Sequence, residues 1–273
     1  MAFEYSGNGA LDYFPCRYAK SKLLFRGPCR SLAGEYIAAL GGTETYGKFV
    51  TDPWPTLLEE RLGLPVVNFG YMNAGTDVFV NEPQIVEASR SARLNVVQLM
   101  GAQNMSNRFY AVHPRRNDRF LRASSLMRSI FRGVDFTEFN FTRHMLIALK
   151  TRAPDKFEAL IDELRIAWVQ RMRALLECLE GDKVLLWLGD YRAPGQQDPL
   201  GAEPLLVSAA MVDELRPFAT KVVRVNPSVM ARSGGTSGMH FASMEEPAAQ
   251  MLPGPMVHAE IAEALEPEVR GLL

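Results

Sequence analysis

The segment His113-Pro114-Arg115-Arg116-Asn117-Asp118-Arg119, preceded by Arg108, gathers several guanidinium groups in one short stretch. Arginine forks suit carboxylate, phosphate or sulfate oxygens, because their paired N–H groups match planar oxyanions. Such a cluster either focuses an acidic ligand onto a site or forms a solvated turn whose arginines pair with acidic neighbours. Gly189-Asp190-Tyr191-Arg192 adds a carboxylate and a cation, and Asp190 can hold a substrate hydroxyl or cap a turn after its glycine. Glu44 and His113 are side chains able to give or take a proton if the arginines grip a phosphate or sulfate donor. Residues 227–257, with Gly234-Gly235, Gly238, several prolines and His240, have the composition of a flap. No Gly-x-x-x-x-Gly-Lys-Ser/Thr occurs and no Gly-x-Gly-x-x-Gly follows the first apolar run, so no nucleotide cofactor is signalled. His113, His144, His240 and His258 lack metal-ligand spacing, so no metal is expected.

Short apolar runs alternating with amphipathic stretches must position these groups. The runs at 36–40, 65–70, 96–100, 183–188 and 221–225 read as buried strands, most of them stopping near a glycine or a polar turn. Helices are expected at 53–62, capped by Asp52 and closed by Gly63, at 77–92, at 157–179, at 208–217 and from near His258. This order predicts one α/β domain over 1–273: a doubly wound, flavodoxin-like, parallel five-stranded sheet with helices on both faces. Its ligand site belongs at the carboxyl ends of the strands, where the loops at 41–48, 70–77, 101–119, 189–205 and 226–257 share a rim. Residues 1–30 form an N-terminal extension whose aromatics, Tyr5, Tyr13, Phe14, Tyr18 and Phe25, pack onto the domain. Residues 120–152 read as a helical insertion.

Four of the loops carry further spacing. Gly41-Gly42-Thr43-Glu44-Thr45-Tyr46-Gly47 follows the first strand, Asn68-Phe69-Gly70 and Asn73-Ala74-Gly75 the second, and Gly101-Ala102-Gln103-Asn104 the third. Pro255-Met256-Val257-His258-Ala259-Glu260-Ile261-Ala262 opens the last helix. In this order the blocks resemble the SGNH/GDSL hydrolases. The resemblance places Thr43 at the nucleophilic serine and Gly70 at the glycine whose N–H helps form an oxyanion hole. It places Gln103 or Asn104 at the amide donor and His258 at the general base. The chemistry departs from the family at each block: Gly42 stands for an aspartate, Thr43 for a serine, Gln103 for an asparagine, and Pro255 for the aspartate that orients the histidine. Glu245 or Glu246 is then the substitute carboxylate. Without the resemblance, Thr43 reads as part of a polar strand-to-helix turn and His258 as a structural histidine.

The resemblance implies an acyl-ester hydrolase or acyltransferase on a polar or anionic, carbohydrate-like substrate. The alternatives are a non-catalytic relative binding a glycan or other anionic ligand, and phosphate or sulfate transfer on the same scaffold. Composition narrows the partners. Thirty Lys+Arg against 31 Asp+Glu give a net charge of −1, which supplies no field for nucleic acid or an anionic membrane. The partner expected is a small molecule or glycan, with no cofactor and no membrane span. Cys16, Cys29 and Cys178, odd in number and without a CxxC pair, read as reduced thiols of a cytoplasmic protein. The oligomeric state stays open.

Overall fold

A computed structural model describes residues 11–273. The central sheet has the strand order β2-β1-β3-β6-β7 and every neighbouring pair in it is parallel. Its strands are β1 (Ile37–Gly41), β2 (Val66–Gly70), β3 (Leu94–Gln98), β6 (Asp182–Leu188) and β7 (Lys221–Val225). Counting only these five, the order is that of the flavodoxin-like doubly wound sheet. A separate antiparallel hairpin, β4 (Tyr110–His113) with β5 (Arg116–Ala123), lies in the connection after β3.

Helices α1 (Thr43–Tyr46), α2 (Trp54–Leu62), α3 (Thr76–Val80) and α4 (Pro83–Arg90) precede β3. After the hairpin come α5 (Ser125–Ile130), α6 (Thr142–Arg152) and α7 (Pro154–Cys178), then α8 (Ala209–Leu215) before β7. Helices α9 (Val229–Ser233), α10 (Glu246–Ala249) and α11 (Pro255–Arg270) follow it. The β1 side chains alternate between two cores, as the period of a strand requires. Ala38 and Leu40 face the core containing Trp168 and Met172 of α7, whereas Ile37 and Ala39 face the one containing Trp54 and Leu58 of α2 with Ile261 and Leu265 of α11. The Trp168 indole N–H donates to the Met100 carbonyl at 2.7 Å, tying α7 to the loop after β3.

Four sequence expectations change. The helix expected over 77–92 is two, because Pro83 lacks an N–H and drives the residue before it out of helical geometry. Helix α2 starts at Trp54 and has no side-chain cap from Asp52; the Trp54 N–H donates instead to His258. The insertion expected over 120–152 is not purely helical, since its first residues, 120–123, complete strand β5 of the hairpin. Cys16 and Cys29 are not reduced thiols: they form a disulfide with Cα atoms 5.7 Å apart, leaving Cys178 free. An odd cysteine count therefore hid a pair that spacing alone does not reveal.

The disulfide closes a loop of the extension that packs on the sheet. Tyr18 and Phe25 meet Phe69 edge-on at 5.1 and 5.5 Å, and Tyr13 meets Tyr46 at 5.3 Å. Phe14 points outward, and Tyr5 lies outside the described residues. Among the described residues, no helix is long and apolar enough to cross a membrane.

Candidate functional site

A cavity of about 320 Å³ opens at the carboxyl ends of β1, β3 and β6, near the lower end of the roughly 300–1,000 Å³ range of small-molecule sites. Chain order reverses between β1 and β3, and the loops leaving those two strands form its floor, where a doubly wound sheet leaves a crevice. Thr43 and Glu44 come from the first turn after β1, Asn73 from the loop after β2, Gln103 and Asn104 from the loop after β3. Asp118 of β5 and Thr142 and Arg143 of α6 close one side, and Tyr191 and Glu203 close the other. Phe141, Met251 and Leu252 give the site an apolar edge.

Gln98, the last residue of β3, organises the floor. Its carbonyl accepts from the Gly42 N–H at 3.1 Å and from the Thr45 hydroxyl, while its amide donates to Glu44 Oε2 at 2.9 Å. The Tyr191 hydroxyl donates to the other Glu44 oxygen at 2.8 Å. Burial, with Glu44 and Glu203 adding to it, holds the Tyr191 phenol far above its ordinary range, so it remains a donor. Glu203 accepts from Arg192 at 2.7 Å and from the Leu205 N–H at 3.1 Å. Burial pushes its carboxyl up to about 7, the nearby Glu44 adding to the rise and Arg192 opposing it. Arg192 is itself buried and also meets Asp190 and Asp198.

Around Thr43 the contacts are different. Its hydroxyl oxygen accepts from the Asn73 N–H at 2.8 Å and its proton points to Asn73 Oδ1 at 3.4 Å. The Asn73 amide donates to Asp118 Oδ2 at 3.3 Å, and burial holds the Asp118 carboxyl above the usual range. Asn104 accepts from the Thr142 hydroxyl at 2.8 Å. The Gln103 carbonyl is buried and has no donor among the described residues.

Thr43, Glu44, Gln103 and Asn104 thus share the cavity, and the other expected site residues do not. His258 is 0% exposed and does not line the cavity. Its Nδ1 accepts from the Trp54 N–H at 3.2 Å, capping α2 in the core on the other face. Burial, with Arg26 adding to it, drives the imidazole down to about 3, so it stays neutral. Glu245 pairs with Lys48 and Glu246 accepts from Gln250, so neither orients His258. The loop before α11 presents Met251 and Leu252 to the cavity instead of an imidazole. The Gly70 N–H is taken by Asn68 Oδ1 at 2.8 Å, and a Cβ there would lie 2.2 Å from the Tyr46 nitrogen. That glycine serves close packing of α1 on β2.

The arginine motif lies outside the cavity as well. Arg108 pairs with Glu163 at 2.9 Å, and Arg115 and Arg116 are exposed in the β4–β5 turn, where their N–H groups donate to His113 Nδ1 at 3.2 Å. Asp190 accepts from the Arg192 N–H at 3.1 Å, the turn-capping alternative. What the motif sends inward is Asp118, while the buried Asn117 accepts from the Gly75 N–H at 3.0 Å. Sequence reasoning missed Asn73, Gln98, Asp118, Tyr191 and Glu203. Gln98 had a signal, an amide inside the apolar run 96–100; Glu203 had none beyond its loop. Among the described residues, no group of three or more His, Cys, Asp or Glu side chains is placed to hold a metal ion.

Residues 1–273 match a family described as a domain of unknown function, DUF6473. The chain belongs to that family. No curated protein matches the sequence. Among solved structures, this family member is similar to a lipase from a goat rumen metagenome, at 13% identity over 88% of this chain and 97% of that one, with a TM-score of 0.46. It is also similar to an α/β hydrolase from the metagenome of Lake Arreo, Spain, at 14% identity, 88% and 97% coverage and a TM-score of 0.43. An acetylxylan esterase from Geobacillus stearothermophilus, a catalytic mutant, matches at 12% identity, 86% and 94% coverage and a TM-score of 0.43. The fold class of the family member rests on its own strand order and register.

Proposed function

We propose that this protein is an enzyme that hydrolyses or transfers a group on a small hydroxyl-rich molecule, about the size of a sugar, bound in the cavity. In this reading the acid–base chemistry belongs to carboxyls and not to an imidazole. The observation that carries it is that Glu203 and Glu44 face one cavity, the first pushed up to about 7 and the second held by Tyr191 and Gln98. A carboxyl that keeps its proton near neutrality beside a fixed second carboxyl is a pair suited to donating and accepting in one turnover. Clustered amides and hydroxyls from Thr43, Asn73, Gln103 and Asn104 supply the alternating donors and acceptors that a polyhydroxylated ligand needs. The block order resembling SGNH/GDSL hydrolases, kept at Thr43, Gln103 and Asn104, supports an acyl ester as the bond acted on.

A second reading, binding without turnover, is favoured by Thr43. Both its hydroxyl contacts go to Asn73, and among the described residues no proton acceptor stronger than an amide carbonyl touches it. One experiment separates the two. Release of acetate from mono-acetylated sugars is followed across pH for the native chain and for Glu203→Gln. Turnover that falls as pH rises through about 7, and is lost in the variant, is expected. Binding of the sugar with no turnover at any pH sinks the enzyme and leaves the binding protein.

A further inference from the structure

Three carboxyls enter this one cavity from separate elements: Glu44 from α1, Asp118 from β5 and Glu203 from the loop after β6. The arginine on its wall, Arg143, is engaged by the buried carboxylate of Asp198. Arg192, which faces Glu203, is divided among Asp190, Asp198 and Glu203. Arg108, Arg115 and Arg116 stand outside. The lining is therefore rich in acceptors and short of free positive charge, the reverse of what an anionic ligand requires.

Gln103 makes the same point independently of the acids. Its side chain lines the wall, and its carbonyl oxygen, shut off from solvent, has no donor among the described residues, so what the wall holds there is one more acceptor. An ammonium group offers three donors and no acceptor. It fits a wall of carboxylates and carbonyls better than a hydroxyl, which brings lone pairs of its own.

We infer that the ligand of this cavity is cationic, a hydroxyl-bearing primary amine whose ammonium group is drawn in by the carboxyls around the cavity, Glu44, Glu203 and, from the opposite wall, Asp118. This rests on the reading of the cavity as a site for a hydroxyl-rich small molecule and names the charge of that molecule. Glu203 is faced by Glu44 of α1 and by Tyr191, Arg192 and Asp198 of its own loop, with Arg143 of α6 behind Asp198. An arriving ammonium stabilises the ionised Glu203 carboxyl, so binding near neutrality releases a proton, and the fall in turnover with rising pH comes at lower pH for an amine substrate than for a neutral one.

The test is calorimetric titration with matched pairs that exchange a hydroxyl for an ammonium: glucose against glucosamine, and glycerol against serinol. Near pH 7 the amine of each pair is expected to bind at least about tenfold more tightly than its neutral partner. Its heat is expected to vary with the ionisation enthalpy of the buffer, the mark of a released proton. Glu203→Gln removes the proton release and weakens amine binding, and Asp118→Asn, a second isosteric change, weakens it without altering the proton count. Neutral members binding as tightly as the amines, or amine binding indifferent to both substitutions, overturns the cationic assignment while the hydroxyl-rich reading stands. Failure of all four probes to bind at millimolar concentration overturns both.

Discussion

Two ionisable groups are withdrawn from water in different parts of the fold, one in a core against the sheet and one at the sheet's carboxyl edge, and burial biases each toward its uncharged form. His258 lies in the α2–α11 core as a neutral imidazole that caps a helix. Glu203 lies on the cavity wall as a carboxyl that keeps its proton to about 7. The first has, among the described residues, one hydrogen-bond partner, a backbone N–H, and does not line the cavity; the second sits on its wall among carboxyls and an arginine. Desolvation alone does not mark a functional residue: what separates the two is whether the perturbed group faces a cavity.

The largest expected effect concerns His258. In the unfolded chain its imidazole titrates near the ordinary 6.5, and in the folded chain near 3. Below 6.5 the unfolded state binds a proton that the native state refuses, so stability is complete above 6.5 and is lost as pH falls toward 3. The loss is about 4–5 kcal/mol over that window at most. Urea unfolding across pH, comparing the native chain with His258→Asn, measures it. An acid limb identical in the variant breaks the assignment.

Glu203 has the opposite sign. Its carboxyl rises from 4.5 to about 7 on folding, so between those values the native state holds a proton that the unfolded chain has lost. Stability is full below 4.5 and falls as pH rises through about 7, by roughly 3 kcal/mol. Between about 4.5 and 6.5 the two groups oppose each other with equal slopes, and their joint contribution is flat. Single variants expose what the native chain conceals. In that window His258→Asn leaves stability falling with pH and Glu203→Gln leaves it rising. Two flat single-variant profiles would falsify the pairing of these buried groups.

The same contrast explains how far the sequence could be read. Strands 66–70 and 221–225 and the order of all five are legible because a parallel strand buried on both faces is a short apolar run, and crossovers keep the chain alternating. The loop after β1 was legible too, since glycines flanking a polar turn leave Thr43 and Glu44 at a strand's carboxyl end. His258 misled because its spacing within α11 reports which residues share a helix face, not which core that face meets. Glu203 and Asp118 were invisible for the converse reason. Asp118 is one acid in an arginine-rich stretch and Glu203 one acid in a loop of prolines and leucines, and only the folded loops bring them to one cavity.

Thr43 tests the cavity side of the contrast more gently. Thr43→Ala removes the acceptor for the Asn73 N–H, a cost of about 1 kcal/mol. If carboxyls carry the acid–base chemistry and Thr43 only positions Asn73, turnover of short p-nitrophenyl esters changes little in this variant, and equally little in His258→Ala once folded protein is counted. Strong ester hydrolysis abolished by both substitutions would restore a hydroxyl nucleophile with a histidine base, and would require α11 to move.

The smallest effect is expected where the sequence looked most chemical. Arg115 and Arg116 are exposed at the tip of the β4–β5 hairpin, and among the described residues their hydrogen bonds are those of the backbone N–H groups, both donated to His113. Replacing both by alanine keeps those donors, so stability should stay within roughly 0.5 kcal/mol of the native value. Affinity for the amine probes should hold as well, because the charges removed lie outside the cavity lining. Two residues further along, past Arg116 on the same strand, the outcome reverses: Asp118→Asn keeps shape and hydrogen-bonding reach yet removes a carboxyl from the cavity wall, and amine affinity should fall. Thermal unfolding and calorimetry on both variants measure the difference. Loss of affinity in the double arginine variant with none in Asp118→Asn would exchange the two assignments and return the site to an anionic ligand.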